Sequence, residues 1–270
     1  MSQQSKSHGR KSISANSQPR ALMTQSPQLA GVWTAQILTL FPEAFPGVLG
    51  ESLTGRALKD GKWALDTIDL RLFGEGKHRN VDDTPAGGGA GMVLKPNVAG
   101  AALDRALAQQ KTPLPMVCLS PRGTPFTQAK ARAWANAGGV TMLCGRFEGI
   151  DQRVIDHYQL EEISLGDFVL TGGEIAAQAM IDATVRLLPD ILGNEASIAE
   201  ESHMAGLLEH PHYTRPALWN GRSIPDVLQS GHHINIAKWR QEMSHQVTKE
   251  KRPDLWAAFQ NALGEKDPKG

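Results

Sequence analysis

The feature that most constrains the fold is an alternation of strand-like and helical segments between residues 32 and 188. Strands are predicted at five places from their apolar or extended character, at residues 32–40, 63–73, 114–119, 140–144 and 168–170. Helical patterns occupy residues 98–110, 127–137, 151–158 and 172–188, and Pro189 ends the last of them. Because the strands are apolar rather than two-faced, we predict an α/β domain whose mainly parallel sheet is buried on both sides.

The two ends of the chain have a different character. Residues 1–30 are basic, rich in Ser and Gln, and contain no acidic residue. They predict a disordered arm; a mitochondrial transit peptide shares this bias, but no amphipathic Arg-rich helix is evident. After Pro189 the apolar period is lost, which is typical of an interdomain linker. The predicted divisions are an arm (1–30), an α/β domain (31–190), a linker (191–206) and a small helical C-terminal domain (207–270).

Charge and cysteine content limit the possible partners. The chain has 28 basic and 28 acidic residues, so any surface for nucleic acid must be local. No stretch reaches the ~18–20 apolar residues of a membrane helix, and a protein without membrane spans is expected. Cys118 and Cys144 lie within apolar runs and are predicted to be reduced, inert core thiols.

Three predicted turns share one design, in which a strand leads into small residues and a helix follows. They are LSPRG at 119–123, CGRFEG at 144–149 and LTGGE at 170–174. In parallel α/β sheets, ligands bind outside the carboxyl ends of the strands, where glycines let the backbone approach. The turns are therefore predicted to line one pocket, although each alone is also typical of an ordinary helix start. The usual dinucleotide and triphosphate motifs, GxGxxG after the first strand and GxxxxGK[ST], do not occur.

Other features each allow two interpretations. The glycine-rich run at 87–91 is either a flexible surface loop or a functional one. The pairs His210/His212 and His232/His233 have no cysteine or carboxylate partners at zinc-finger spacing, so no metal site is predicted there. Beyond residue 205, basic residues are interleaved with Tyr and Trp. That mixture suits phosphate contacts with base stacking, and it also suits a solvated helix face around a tryptophan core.

Several long strings occur in the order of a known family, namely LTLFPEAF, LTGRAL, VDDTPAGGGAGMVLKP, LSPRG, CGRFEGIDQRVID, SLGDFVLTGGE, HPHYTRP and SGHHINIAKWR. From about Gln36 to Pro253 the chain resembles the bacterial tRNA (guanine-N1)-methyltransferases of the trefoil-knot class, the TrmD family of SPOUT methyltransferases. Long, unusual strings in one order are far more specific than a lone glycine motif.

The resemblance implies a deep trefoil knot in the α/β domain, one of the few exceptions to the rule against knotted chains. The knot would hold S-adenosylmethionine in a bent shape. The family acts as a homodimer with active sites across the subunit interface, so a composite site, a tRNA partner and a cytoplasmic location are expected. Carried over to matching positions, the cofactor-binding residues are Leu119, Ser120, Pro121, Gly145, Glu148, Leu165, Gly166, Phe168, Leu170, Gly172 and Gly173.

The resemblance also implies the reaction. The target would be N1 of guanosine 37, on the 3′ side of the anticodon, in tRNAs where another guanosine precedes it; such a base can be extruded into a pocket. A carboxylate would take the N1 proton as general base, and an arginine would offset the charge that develops on guanine. Arg186 matches the family's arginine, and Glu201 is the expected base. The residues expected to contact the substrate are Asp82, Ser202, His212, Tyr213 and Arg215, with the 87–91 loop closing over the substrate or the cofactor's methionine end.

Glu201 departs from the family pattern, in which an aspartate often stands at this position. A glutamate carries the same group on one more methylene, so the linker must shift by about that length, and Glu200 and Asp190 are kept as alternative bases. Two other functions stay open. One is a knot-class methyltransferase acting on ribose oxygen or another base, and the other is a catalytically silent RNA-binding relative. The family's magnesium requirement implies Mg²⁺, which keeps most of its waters and needs no visible ligand cluster.

Overall fold

The structure, a computed structural model, describes residues 31–192, 203 and 206–265. The strands within residues 31–192 are β1 Trp33–Thr39, β2 Trp63–Asp69, β3 Asp82–Asp83, β4 Val93–Leu94, β5 Met116–Pro125, β6 Gly139–Cys144 and β7 Glu161–Ser164. The α-helices there are α1 Ser52–Lys59, α2 Pro96–Gln109, α3 Gln128–Asn136, α4 Gln152–Tyr158 and α5 Glu174–Val185. Short 3-10 turns lie at Pro42–Ala44, Gly47–Gly50 and Leu70–Phe73.

A five-stranded parallel sheet in the order β2-β1-β6-β5-β7 forms the centre of this part. Successive side chains of a strand point to opposite faces of the sheet. Ile37 and Met142 pack on one face with residues of α1, α3 and α5, while Leu38 and Leu143 pack on the other with residues of α2 and α4. Both faces are therefore buried, and the predicted α/β class with a mainly parallel sheet is confirmed.

Two strand predictions are wrong. Residues 168–170 form no strand, and the side chains of Phe168 and Val169 are 54% and 82% exposed. A short apolar run cannot be assigned to a strand by periodicity alone, and here it marks a surface loop. The last strand of the sheet is β7, whose buried residues Ile163 and Ser164 follow two glutamates. In addition, β5 does not end at Leu119 but continues to Pro125.

The two cysteines lie in the core, as predicted. Cys118 of β5 and Cys144 of β6 are free and buried. Burial raises the pKa of Cys118 to about 12 and also raises the pKa of Cys144, because a thiolate is poorly solvated in the core. Both thiols therefore stay protonated at neutral pH and are unreactive.

The C-terminal part contains a small hairpin and packed helices. Its elements are β8 Leu218–Trp219, β9 Arg222–Ser223, α6 Asp226–Gln229, α7 His233–Lys251 and α8 Pro253–Glu265. His245 of α7 contacts the rings of Trp256 and Phe259 on α8, and the Thr248 hydroxyl accepts a hydrogen bond from Leu208 at 2.8 Å. The C-terminal helices were predicted, but the hairpin was not.

Most of the predicted linker lies outside the described residues. No helix in the described ranges has the length and apolar character needed to cross a membrane.

Candidate active site

Residues 118–122 of β5 and the carboxyl ends of β6 and β7 border a cavity of about 290 Å³. Ten of the eleven predicted cofactor-binding residues line it, namely Leu119, Ser120, Pro121, Gly145, Glu148, Leu165, Phe168, Leu170, Gly172 and Gly173. Gly166 does not line the cavity, but it contacts a residue that does. The Gly166 N–H donates to the hydroxyl of the lining residue Ser164, and that hydroxyl donates to the Gly166 carbonyl. The structure therefore brings the three predicted turns together at the sheet edge where ligands bind. Their role in binding a cofactor stays a prediction.

The first side of the cavity is a bulge within β5. Residues 120–123 leave the ladder, because Leu119 and Thr124 both align with Ile163 of β7. The bulge passes so close to β7 that a Cβ on Gly123 would lie 2.4 Å from the backbone of that strand. Only glycine fits at this position, and the bulge carries Ser120 and its neighbours to the cavity wall.

The second side follows β6 and contacts the glycine-rich segment. Glu148 donates its backbone N–H to the carbonyl of Met92 at 2.9 Å. A Cβ on Gly91 would lie 2.3 Å from the Glu148 carboxylate, and the positive φ of Gly91 also favours glycine at this position. Residues 87–89 are exposed and have positive φ angles. One end of the predicted closing loop therefore rests on a residue of the cavity wall.

The third side is the segment 165–173, which returns from the edge strand β7 to the middle of the sheet. Its last residue, Gly173, donates its N–H to the carbonyl of Gly145 at 3.0 Å. A Cβ on Gly173 would lie 2.9 Å from the Cα of Cys144, which excludes a larger residue. Helix α5 begins directly afterwards and packs on β1 and β6. These contacts fix the third turn against the second.

An ion pair that the sequence analysis missed lies at the same cavity. Arg146 lines the cavity, and its Nη2 is 2.9 Å from Oε2 of Glu174, the first residue of α5. Glu174 is 3% exposed, and its other carboxylate oxygen accepts a hydrogen bond from the Thr39 hydroxyl at 2.7 Å. No spacing rule joins these residues, which come from three separate segments. The available signal was an acidic residue at the start of a helix, directly after a pair of glycines.

The predicted catalytic residues are described only in part. Glu201 and Ser202 lie outside the described residues, as does the alternative base Glu200. Arg186 is half-buried at the C-terminal end of α5, and Asp190 is exposed shortly after it. Neither Arg186 nor Asp190 is one of the described residues that line the cavity. The structure of the single chain therefore does not bring Arg186 to the predicted cofactor pocket.

Asp82 lies one layer away from the cavity. It pairs with Leu94 across the short ladder of β3 and β4, and Leu94 also bridges to Ile150, which lines the cavity. Asp82 itself is half-buried and is not a lining residue. The prediction that it approaches the substrate is untested.

His212, Tyr213 and Arg215 lie together on an exposed segment of the C-terminal part. The Tyr213 ring lies 6.1 Å from the ring of Trp239, and the His212 Nε2 lies 2.8 Å from Oε1 of Glu209. Glu209, His210 and His212 offer possible metal-ligand atoms within 4.8 Å of one another. No carboxylate partner was predicted at zinc-finger spacing from the two histidines, but Glu209 lies directly before His210. The direct contact between Glu209 and His212 accounts for this geometry, and the absence of a metal site stays a prediction.

Comparison with known proteins adds independent information. The sequence model of the family described as tRNA (Guanine-1)-methyltransferase TrmD matches residues 34–258. A tRNA (guanine-N(1)-)-methyltransferase of Ruegeria sp. (strain TM1040) is 64% identical over 238 residues, which cover 88% of this chain and 98% of that protein. A protein of the same name from Cereibacter sphaeroides (strain KD131 / KCTC 12085) is 64% identical, covering 89% and 97% of the two chains. Another from Brucella suis (strain ATCC 23445 / NCTC 10510) is 55% identical, covering 88% and 96%.

Proposed function

The chain belongs to the tRNA (guanine-1)-methyltransferase TrmD family and is a tRNA (guanine-N1)-methyltransferase, and from this premise we propose that it methylates guanosine 37. The methyl donor is S-adenosylmethionine, as methyltransferase activity of this family implies. The proposed substrate is the guanosine on the 3′ side of the anticodon, when another guanosine precedes it. The observation that carries the proposal is the convergence of ten predicted cofactor-binding residues on one cavity.

The cavity wall suits this cofactor. Leu119, Leu165 and Phe168 offer apolar surface for a purine ring, and a ligand site of this kind is mostly apolar with a few placed polar groups. At Gly172 and Gly173 a side chain would collide with neighbouring atoms, so the backbone itself forms the wall. When bound, S-adenosylmethionine supplies a methyl group on a positively charged sulfur, which is already electrophilic.

The task of the chain's own residues is to prepare the guanine nitrogen. N1 of guanine carries a proton that must leave as the nitrogen attacks. We assign the removal of this proton to Glu201, with Glu200 and Asp190 as alternatives, because a carboxylate within hydrogen-bond reach can act as general base. Arg186 is assigned the stabilisation of the negative charge that develops on the guanine oxygen. Mg²⁺ is kept as a proposed cofactor without assigned protein ligands, because the ion retains most of its waters.

A homodimer would complete this site. Arg186 is absent from the cavity wall in the described part of its own chain, and a second subunit offers a way to bring it to the substrate. The exposed apolar residues Phe147, Phe168 and Val169 of the cavity wall support this proposal, together with the exposed Ile175 at the start of α5. Clustered apolar exposure beside a pocket is typical of a protein interface.

The proposal extends to the knot and to the RNA surface. The return of segment 165–173 from the sheet edge to β6 supports the threaded crossing that the family implies. The exposed Tyr213 and Arg215, with Trp239 nearby, suit base stacking and phosphate contact by the C-terminal part. We also propose a cytoplasmic location, because the proposed substrate is tRNA.

The test is identification of the methylated nucleoside. The protein is incubated with methyl-labelled S-adenosylmethionine and an unmodified leucine tRNA that has consecutive guanosines at positions 36 and 37. Digestion should yield labelled 1-methylguanosine, and a matched tRNA with adenosine at position 37 should remain unlabelled. Labelled 2′-O-methyl nucleosides would instead identify a knot-class enzyme acting on ribose. Binding of tRNA without any transfer would identify a silent RNA-binding relative.

A further inference from the structure

Arg146 is held on several sides at the cavity wall. Its Nη2 and Nε donate to Oε2 of Glu174 at 2.9 and 3.1 Å, and its Nη1 donates to the carbonyl of Thr171 at 3.3 Å. The guanidinium carbon lies 4.4 Å from the centre of the Phe41 ring, which is within the range of a cation–π contact. A guanidinium has five N–H groups, so one N–H on each Nη has no acceptor among the described residues. These two groups remain for a ligand.

The carboxylate of Glu174 is itself fixed from the other side. Its Oε1 accepts a hydrogen bond from the Thr39 hydroxyl at 2.7 Å, and that hydroxyl oxygen accepts one from the backbone N–H of Phe41 at 3.0 Å. The end of β1 therefore supplies both the group that orients Glu174 and the ring beneath Arg146. A buried ion pair adds little net stability, because desolvation offsets the attraction. Its clearest consequence here is the fixed orientation of the guanidinium.

The backbone near Arg146 leaves space for the guanidinium in this orientation. A Cβ on Gly172 would lie 2.1 Å from the Arg146 Nε and 2.5 Å from its Cζ, so the guanidinium packs directly on the glycine backbone. The other arginine of the cavity wall, Arg122, is bonded to Glu162 at 2.6 Å and Gln152 at 2.7 Å, and its side chain is 60% exposed. Arg146 is the less exposed of the two, at 26%.

We propose that Arg146 binds the carboxylate of the methionine part of S-adenosylmethionine, and that Glu174 and Thr39 are its positioning residues. This inference rests on the proposed function, since it concerns the cofactor of that same site. The cofactor has one anionic group. A carboxylate can accept two N–H bonds from one guanidinium, and charge-assisted pairs of this type are strong and directional. A prepositioned arginine also loses less side-chain freedom when the ligand binds.

The test compares two ligands that differ only in the carboxylate. Binding of S-adenosylhomocysteine and of its decarboxylated analogue is measured by calorimetry on the full-length protein. Arg146→Gln should weaken binding of S-adenosylhomocysteine by about 10- to 100-fold, as expected for a lost charge-assisted hydrogen bond. The same substitution should change binding of the decarboxylated analogue by less than about threefold, because that ligand never makes the contact.

The positioning residues are tested with the same pair of ligands. Glu174→Gln and Thr39→Val should each reduce the preference for the carboxylated ligand by about 3- to 10-fold, because Arg146 is then free to reorient. Thermal unfolding of each variant reports whether the fold persists. Thr39→Val keeps the volume of the side chain, so it supplies the result if Glu174→Gln does not fold.

Arg153→Gln is the matched control. Arg153 is an exposed arginine bonded to Asp151 at 2.7 Å and is not a lining residue, so both ligands should bind this variant as they bind the unmodified protein. Parallel loss of both ligands in Arg146→Gln would overturn the inference, as would selective loss in Arg122→Gln with Arg146→Gln unchanged. If the unmodified protein bound neither ligand, the proposed function itself would fail instead.

Discussion

At position 201 the chain has a glutamate where an aspartate often stands in its family, and we propose that this glutamate is the base, so the length of its side chain matters. The carboxyl group must come within hydrogen-bond reach of guanine N1, and errors of about 1 Å are costly at such a contact. We expect Glu201→Gln to lower kcat for methyl transfer by about 10²- to 10⁴-fold, which is the usual contribution of a general base. Binding of S-adenosylhomocysteine, measured by calorimetry, should change by less than about twofold, because the residue acts on the RNA.

Two neighbouring substitutions make this prediction specific. Glu200→Gln is the matched control and should retain activity, since it removes the adjacent carboxylate and leaves Glu201 intact. Glu201→Asp should lower kcat without abolishing transfer, because it keeps the carboxyl group but on a side chain that is one methylene shorter. Full activity of Glu201→Gln combined with loss in Glu200→Gln would reassign the base to Glu200.

At the scale of elements, the sequence predicted four strands of the sheet but missed the edge strand β7. Strand β6 is buried at every residue, and its apolar run fits a strand covered on both faces because helical patterns precede and follow it in the sequence. The edge strand β7 begins with two glutamates, so its pattern gave no strand signal, whereas the exposed residues 168–170 did. The bulge in β5 was missed because Pro121 and Gly123 normally end a strand, and here they form a loop after which the strand resumes.

The site residues also fall into those that the sequence predicted and those that it missed. The cavity wall was predicted because its residues lie within a few positions of strand ends, where local sequence defines them. Arg146 and Glu174 are 28 positions apart, and they meet only because segment 165–173 returns to β6. Contacts of that kind depend on the path of the chain and cannot be obtained from spacing.

The third turn carries a prediction of its own, because Gly172 leaves room for Arg146. Gly172→Ala places a methyl group 2.1 Å from the Arg146 Nε, so the guanidinium must shift from the position in which it contacts Glu174. We expect the free energy of unfolding to fall by about 1–3 kcal/mol, as for other overpacked sites, and S-adenosylhomocysteine to bind about tenfold more weakly. Gly100→Ala in α2 is the control, since its nearest neighbour is the Tyr158 hydroxyl at 3.3 Å and the residue does not line the cavity. Equal binding by the two variants would contradict the steric argument.

For the whole molecule, the first question is how much of the chain the enzyme needs. The family match covers residues 34–258, and the basic residues 1–30 precede it. Removal of residues 1–30 should therefore leave kcat/KM for tRNA within about twofold of the full-length value, since chain termini outside the family match often tolerate truncation. A large rise in KM for tRNA, with kcat unchanged, would instead show that the basic arm contributes to RNA binding.

The second question at this scale is whether one subunit is sufficient, and Val169 offers a direct test. Its side chain is 82% exposed at the cavity wall, among other exposed apolar residues of the proposed interface. Val169→Glu would place a charge in that interface, where an unpaired buried charge costs several kcal/mol. We expect the variant to sediment as a monomer and to lose methyl transfer, because Arg186 would no longer reach the cavity of another subunit. Leu72→Glu is the control, since Leu72 is 61% exposed just after β2, at the opposite edge of the sheet from β7. A monomeric Val169→Glu variant with full activity would show that each subunit contains a complete site.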